Sequence, residues 1–364
     1  MSRFKPRLKA GLQLSKIIVI LGPTASGKTG LSLKLAKKFK GEIVNADSRQ
    51  IYKFMDIGTG KVKPDKKAPL HPPLKKGERG GFIADGVSHY LIDIINPDEE
   101  FTLADYKKEA LTAIKNIFKN KKVPFLVGGT GLYIQAVVDN LEIPAVPPNK
   151  KLRARFEKEL AITPHPNPLP QGERGGEFSV REKVIEKWFK KLLKLDPGAA
   201  AVVDKNNPRR IIRALEVCLA TGQSFSKLRE KGEPLFDVLQ IGITVPRKKL
   251  YERIDKRVDQ MIKQGLVAET KKLVKKFQVS RFKFQDLPAM SGIGYKEMGE
   301  YLNEESRIEN RELRKKLLAE KVQKIKYRTH AYARRQMTWV RRDKRIKWIK
   351  NYKEADNKIK KWLK

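Results

Sequence analysis

The patterned part of the chain begins with a short apolar, β-branched run, Lys16–Gly22 (KIIVILG). A run this short without helical periodicity predicts a buried strand. A helix is expected from Lys28 to about Phe39. Glu42–Asp47 (EIVNAD) and His89–Ile94 predict a second and a third strand, and Val123–Val127 (VPFLV) a further one. Between them, Thr102–Asn120 sets Leu103, Tyr106, Ala110, Ile114 and Ile117 three or four residues apart, the stripe of an amphipathic helix. Gly128-Gly129-Thr130 opens another helix. Strands alternating with helices predict an α/β domain around a parallel sheet flanked by helices. After about Asn140 the pattern turns mostly helical. Leu239–Val245 (LQIGITV) returns one more strand, and long basic helices follow.

This division predicts a core domain of residues 16–140 and 204–343, a helical insertion at 141–203, a basic, poorly ordered lead-in at 1–15 and a basic helical C-terminal region with a tail at 344–364. No apolar run approaches the ~20 residues that cross a bilayer. Ile17–Leu21 is too short for a signal-peptide core. A soluble, cytoplasmic chain with no membrane contact is expected. The single cysteine, Cys218, excludes an internal disulfide framework. Lying among Ile211, Ile212, Leu215 and Leu219, it is expected to be a core thiol. One repeat stands out: Pro73–Gly81 (PLKKGERGG) and Pro168–Gly176 (PLPQGERGG), inside interruptions at 66–85 and 161–178. It is either a duplicated binding loop or an extra element inserted twice where a surface loop tolerates it. Neither copy holds residues capable of chemistry.

Charge changes the picture. With 80 Lys and Arg against 41 Asp and Glu, the net charge is +39. Such a surface attracts polyanions, nucleic acid foremost, with anionic lipid or a general basic bias as the alternatives. Residues 307–364 alone hold 22 basic and six acidic residues. Tyr327, His330, Tyr332, Trp339 and Trp348 lie among them, and basic and aromatic residues together suit a phosphate-tracking, base-stacking surface.

The strongest chemical motif is Gly22-Pro23-Thr24-Ala25-Ser26-Gly27-Lys28-Thr29, a full GxxxxGK[ST] between a strand and a helix, as in a P-loop. Its glycines let backbone N–H groups turn toward a phosphate, and the helix N-terminus adds a favourable dipole. Lys28 neutralises phosphate oxygens, and Thr29 can ligate Mg²⁺. The motif implies polyphosphate or pyrophosphate without specifying ATP. Asp47 closes the second strand, where parallel sheets bind ligands. It can serve as a general base, or hold Mg²⁺ through water, or cap a turn. Thr130 is either an N-cap or a hydroxyl facing the reaction centre. Asn207-Pro208-Arg209-Arg210-Ile211-Ile212-Arg213 puts three arginines at a helix start, either a solvated face or a phosphate clamp.

The strings GPTASGKT (22–29), DSRQIYKFMDIGTGK (47–61), HYLIDI (89–94), GGTGLY (128–133), NPRRIIRALEV (207–217), SGIGYKEM (291–298) and YARRQMTWVRRD (332–343) together resemble the tRNA dimethylallyltransferase, or isopentenyl-tRNA transferase, family. The resemblance runs in order from about Lys16 to Asp343, and the two interruptions are additions to the family pattern. It implies a P-loop NTPase-like fold whose helical insertion embraces the tRNA anticodon stem. It also implies transfer of a dimethylallyl group from dimethylallyl diphosphate to N6 of adenosine 37, with Mg²⁺ as cofactor and no need for ATP. Asp47 would then be the base, and Lys28, Thr130 and Arg257 the other catalytic residues. The P-loop would hold the diphosphate. Contacts to the tRNA anticodon stem-loop would come from Asp47, Ser48, Arg49, Gln50, Thr130, Arg153, Arg209, Arg210, Ile211, Ile212, Arg213, Ser291, Gly292, Ile293, Gly294, Tyr295 and Lys296. A monomer is expected. The competing readings are a P-loop small-molecule kinase, which leaves the charge unexplained, and an RNA-binding NTPase. The latter wants a strand ending in acidic metal ligands, and Glu42–Asp47 and His89–Asp93 fit that poorly.

Overall fold

The computed structural model describes residues 14–65, 81–144, 146–161, 175–227, 232–277 and 287–364. The chain divides into two units, Met1–Val138 with Pro234–Lys364, and Asp139–Glu233. The strands are β1 (Lys16–Leu21), β2 (Gly41–Ala46), β3 (Gly81–Ala84), β4 (Val87–Tyr90), β5 (Val123–Gly128), β6 (Asp237–Ile243) and β7 (Lys347–Ile349). The helices, in chain order, are α1 (Lys28–Lys38), α2 (Leu103–Lys119), α3 (Gly131–Val138), α4 (Lys150–Ala161), α5 (Gly175–Leu195), α6 (Ala199–Val202), α7 (Pro208–Thr221), α8 (Arg247–Lys263), α9 (Leu266–Lys276), α10 (Tyr295–Glu305), α11 (Arg311–Val340) and α12 (Tyr352–Leu363).

The first unit is built on one sheet in the order β3-β4-β2-β5-β1-β6-β7, parallel except for the β3–β4 hairpin. The expected strand at 89–94 is shorter, because Leu91 and Asp93 take left-handed conformations that end the ladder. The unforeseen hairpin turns at Asp85-Gly86, both left-handed, with both N–H groups held by the Asp65 carboxylate. Residues of β1 alternate between two cores. Ile17, Val19 and Leu21 join the side holding α2 and α3, while Ile18 and Ile20 pack with Leu35, Ala36, Ala355 and Ile359. Each such aliphatic side chain contributes roughly 1.5–3 kcal/mol on burial, so the sheet is fastened on both faces. Register aligns the strand ends: Leu21 lies opposite Gly128 and Gly242, and Ala46 opposite Gly128.

The stretch 344–364, set apart as a tail by its charge, is part of this unit. β7 pairs with β6 through Ile241↔Lys347 and Ile243↔Ile349. α12 buries Ala355 and Ile359, and Lys16 Nζ donates to the Trp362 carbonyl at its C-terminus at 2.7 Å. A cation there also complements the helix dipole.

The second unit is helical. Its core joins Phe156 and Trp188, edge to face at 4.6 Å, with Leu192, Ala199, Ile211, Leu215 and Cys218. The unit runs on to Glu233 rather than ending at 203, because the apolar face of α7 packs within this helical core. Cys218 is buried as expected, whereas Leu219 is exposed. Asn207 caps α7 by accepting from Arg210 N–H, Pro208 takes the first turn, and Gly222 closes it in the left-handed region. The PL–GERGG repeats, apart from their final glycines, and most of the lead-in lie outside the described residues.

Asp343 fastens the end of α11 to β6, accepting from Gln240 Nε2 at 3.0 Å and Arg345 Nη2 at 2.6 Å. Burial alone would raise its pKa. The Arg345 and Gln240 hydrogen bonds instead hold it at about 2. A carboxyl depressed on folding stabilises the protein above its ordinary value near 4, and that contribution fades as pH falls toward 2. We expect Asp343→Asn to cost about 1–2 kcal/mol at pH 7. In urea titrations the gap to the parent should close between pH 4 and pH 2.

Candidate active site

Because β1, β2 and β5 end in register, the loops that follow them emerge at one sheet edge. After Leu21 the chain turns through Ala25 and Gly27, both left-handed, at φ 59 and 93. Gly27 is the N-cap of α1, and no side chain caps the helix. The first N–H groups of α1 are therefore available to an anion. Ser26 Oγ is buried with no hydrogen-bond partner among the described residues, another donor for an anion. Thr29 is exposed.

After β2, Asp47 Oδ1 accepts from Arg49 N–H at 2.9 Å, and Asp47 N–H donates to Asn45 Oδ1. Asn45 in turn donates to the Leu91 carbonyl. This turn fixes the carboxylate, leaving Oδ2 without a protein partner among the described residues. After β5, Thr130 N–H donates to the Ala46 carbonyl, and Thr130 Oγ1 accepts from Ser48 N–H at 3.0 Å. The Thr130 carbonyl accepts from Ile134 N–H, as an N-cap does. Its hydroxyl instead ties this loop to the one carrying Asp47.

Two helices close the site. On α8, Arg253 Nη1 donates to the Ser26 carbonyl, and Arg257 Nη2 to the Thr59 carbonyl at 3.2 Å. On α11, Gln336 Oε1 accepts from Thr24 N–H while its Nε2 donates to the Gly129 carbonyl, both at 2.9 Å. One side chain thus bridges the two glycine loops. A Cβ on Gly131 would collide with the Trp339 ring, one turn further along α11.

Two cavities with shared lining residues lie among these groups. The smaller, about 60 Å³, holds Thr24, Lys28, Thr29, Asn45, Asp47, His89 and Arg257. The larger, about 290 Å³, shares Thr24, Asp47, Thr59 and Arg257 and extends along Ile254, Val258, Met261, Ile293, Ile325 and Tyr332. Burial brings the Lys28 ammonium down to about 8, against the attraction of Asp47 and reinforced by Arg257. Burial also lowers Arg257 from its ordinary value, against the pull of Asp47. Burial pushes the Tyr332 phenol up to about 12, and the nearby Asp47 charge adds to it. Desolvated cations with one carboxylate among them suit a multiply charged anion beside a less polar group.

The family model described as IPP transferase matches residues 50–343, and that described as isopentenyl transferase matches residues 15–70. The chain belongs to the IPP transferase family. A tRNA dimethylallyltransferase of Carboxydothermus hydrogenoformans is 39% identical over 347 residues, covering 94% of each chain. One of Roseiflexus sp. is 41% identical over 326 residues, covering 90% of each. The full-length tRNA isopentenylpyrophosphate transferase of Bacillus halodurans has a similar structure, with TM-score 0.60, 32% identity, and coverage of 96% of this chain and 95% of that one. A eukaryotic dimethylallyltransferase solved acting on tRNA aligns at TM-score 0.62 and 26% identity, over 90% of this chain and 70% of that one. Membership of this family displaces the small-molecule kinase reading. No helix among the described residues is long and apolar enough to cross a membrane.

The remaining sequence candidates of this IPP transferase chain fall into distinct environments. Ser48, Arg49, Ser291, Gly292, Ile293 and Gly294 line the larger cavity, and Arg49 Nη1 donates to the Pro288 carbonyl. Gln50 lines the smaller one. Lys296 is half-buried. Tyr295, expected at the tRNA surface, is only 1% exposed. Its hydroxyl donates to Glu269 at 2.5 Å and accepts from Gly58 N–H, so it braces the loop after Asp47. In the helical unit Arg209 and Arg210 are exposed, but Ile211 and Ile212 are core residues. Arg153 and Arg213 are ion-paired with the buried Glu216, at 2.7 and 3.2 Å. Burial would raise Glu216, but the hydrogen bonds from Arg153, Asn149 N–H and Arg213 hold it below the ordinary carboxylate range. These differences in environment share one cause. A contiguous helical string carries surface and core positions together, and only packing separates them.

Gln336 and Arg253 are absent from the sequence candidates, and Trp339 enters there only as an aromatic of the basic C-terminal region, whereas its ring packs against Gly131. Their signal was spacing: Tyr332, Gln336 and Trp339 share one face of α11, and Arg253 and Arg257 one face of α8. The Lys28 shift has a measurable consequence. The ammonium loses its proton as pH rises through about 8, so pyrophosphate affinity should fall above that pH by up to about tenfold per unit. Calorimetric titration of Lys28→Ala should show weaker binding and a flatter profile than the parent between pH 7 and 10.

Proposed function

We propose that the chain transfers the dimethylallyl group of dimethylallyl diphosphate to N6 of adenosine 37 of tRNA and releases pyrophosphate. The observation that supports this most directly is that Asp47 lines both the P-loop cavity and the larger cavity that shares its lining. A diphosphate bound by Gly22–Thr29 and a base entering the larger cavity would meet at that carboxylate. The uncapped N-terminus of α1, Ser26 Oγ, Lys28 and Arg257 would bind the diphosphate and stabilise charge developing on it. Ile254, Val258 and Met261 offer apolar surface beside it.

The target adenine has to leave its stack to enter. Its exocyclic amine is a weak nucleophile, because the lone pair is delocalised into the ring. As N6 attacks the prenyl C1, the C1–O bond breaks and pyrophosphate leaves with the electron pair. Asp47 takes the N6 proton. Thr130 positions the Asp47 loop through Ser48 N–H. The Thr29 hydroxyl, with Asp47 through water, is the donor set that would face Mg²⁺. Two such groups suit an ion held mainly by the diphosphate and water, and the ion would neutralise diphosphate charge.

Incubation with dimethylallyl diphosphate, Mg²⁺ and total tRNA, followed by nucleoside analysis, should yield N6-dimethylallyladenosine and free pyrophosphate without ATP. Unmodified tRNA under these conditions, with phosphoryl transfer from ATP to a small acceptor, would overturn the proposal. Asp47→Asn should lower the single-turnover rate by about 10²–10⁴-fold while leaving tRNA affinity near that of the parent.

A further inference from the structure

Residues 56–60 form turns after the Asp47 segment, and Thr59 among them lines both cavities. The Thr59 carbonyl accepts from Gln50 Nε2 at 3.3 Å and from Arg257 Nη2 at 3.2 Å. For Arg257 this is the one side-chain hydrogen bond to the protein among the described residues. The fit around it is close. Gly60 is left-handed at φ 60, and a Cβ on it would lie 1.7 Å from Arg257 Nη2. A Cβ on Gly58 would meet the Tyr295 ring at 2.4 Å. Where this loop stands therefore decides where the Arg257 guanidinium points.

The loop is held from outside, by α9. Glu269, in the first turn of that helix, accepts from three successive N–H groups: Asp56 at 3.1 Å, Ile57 at 3.0 Å and Gly58 at 3.4 Å. The Tyr295 hydroxyl donates to the same carboxylate at 2.5 Å and accepts from Gly58 N–H at 3.1 Å. Burial, and after it the Glu269 carboxylate, hold the Tyr295 phenol above its ordinary value, so it stays a donor. A carboxylate suits this place because it is an acceptor only, with lone pairs enough for all these donors. Neither Glu269 nor Tyr295 lines either cavity, so both act at one remove from the site.

We propose that Glu269 is a positioning residue for diphosphate binding, acting from α9 through the Asp56–Gly58 N–H groups and the Thr59 carbonyl on Arg257. This rests on Arg257 contacting the diphosphate, as proposed above. An arginine side chain has many rotamers to lose. One already aimed at its anion gives up less freedom on binding than one the anion must order. Loosening the loop should therefore weaken the Arg257 contact while leaving the P-loop itself in place.

Calorimetric titration of the full chain with inorganic pyrophosphate tests this. Glu269→Gln keeps the shape but has a single acceptor oxygen, and its amide NH2 group faces N–H donors. Affinity should fall about three- to tenfold, the scale of one lost hydrogen bond. Arg257→Ala should lose more. In the Arg257→Ala background, Glu269→Gln should add less than about twofold, because its effect passes through the guanidinium that is gone. Melting temperature, measured in parallel, reports whether each chain is folded. Glu269→Asp, a carboxylate on a shorter stem, takes the place of Glu269→Gln if that chain does not fold, and the same coupling is expected of it. A folded Glu269 variant with parental affinity would overturn the proposal. Equal losses with and without the Arg257 side chain would overturn the relay through Arg257, since a general weakening of the fold acts alike in both backgrounds. Parental affinity in Arg257→Ala, or a parent chain that binds no pyrophosphate, would instead remove the diphosphate contact on which the relay rests.

Discussion

Everything at the candidate site depends on three parallel strands ending level. Leu21, Ala46 and Gly128 are register partners or neighbours across β1, β2 and β5, so the P-loop, the Asp47 turn and the Gly129-Thr130 turn leave the sheet side by side. A one-residue slip in any of the three would exchange the two faces of that strand and separate its loop from the others. The alternation of β1 between two cores makes such a slip costly. Short hydrogen bonds complete what the register begins: Thr130 ties its loop to Ser48, and Gln336 ties it to Thr24.

Charge acts in two different ways in this molecule. Many basic side chains are matched by acids within the fold, such as Lys61 with Asp56 and Asp93, Lys122 with Glu42, and Arg153 and Arg213 with Glu216. These pairs position elements and add little net field. Lys28 and Arg257 differ, being desolvated around a single carboxylate, and burial disfavours the charged form of both. A diphosphate bound there, as proposed, would relieve that cost. Long-range attraction of a polyanion rests on the unmatched surface cations and falls with salt. Short-range selection rests on the buried ones and is screened much less.

The long apolar elements were legible in the sequence because their patterns are local. β1, β5 and α2 stand close to where periodicity placed them, and the P-loop needed only its own eight residues. β3 and β7 were not legible: each is short, and each exists because a neighbouring strand offers an edge. The apolar stripe of α7 was visible, but a stripe does not name the surface that covers it. It packs with α4 and α5, which moved the end of the helical unit to Glu233. Among the candidate residues, Asp47 and Lys28 line one cavity, a placement that strand ends and glycine loops signal in the sequence itself. Gln336 carries no such signal, since its role consists of two partners more than 200 residues away in sequence. Tyr295, Ile211 and Ile212 show what a recognisable string does not carry: their side chains are buried in the core, which string membership alone does not reveal.

α11 explains why such distant positions act together. It runs from Arg311 to Val340 without interruption, and a helix of that length moves more readily as a body than turn by turn. Its inward face places Ile325, Thr329 and Tyr332 along the larger cavity, Gln336 between the glycine loops and Trp339 against Gly131. Its other faces carry Arg334, bound to Tyr251 of α8, and Arg328 and Lys324, which pair with Glu297 and Glu300 of α10. A shift of this helix along its axis would therefore strain the P-loop, the cavity wall and the α8 contact at once. Interactions that share one rigid element are not independent, so substitutions at Tyr251, Gln336 and Trp339 should combine non-additively although they lie at different parts of the site.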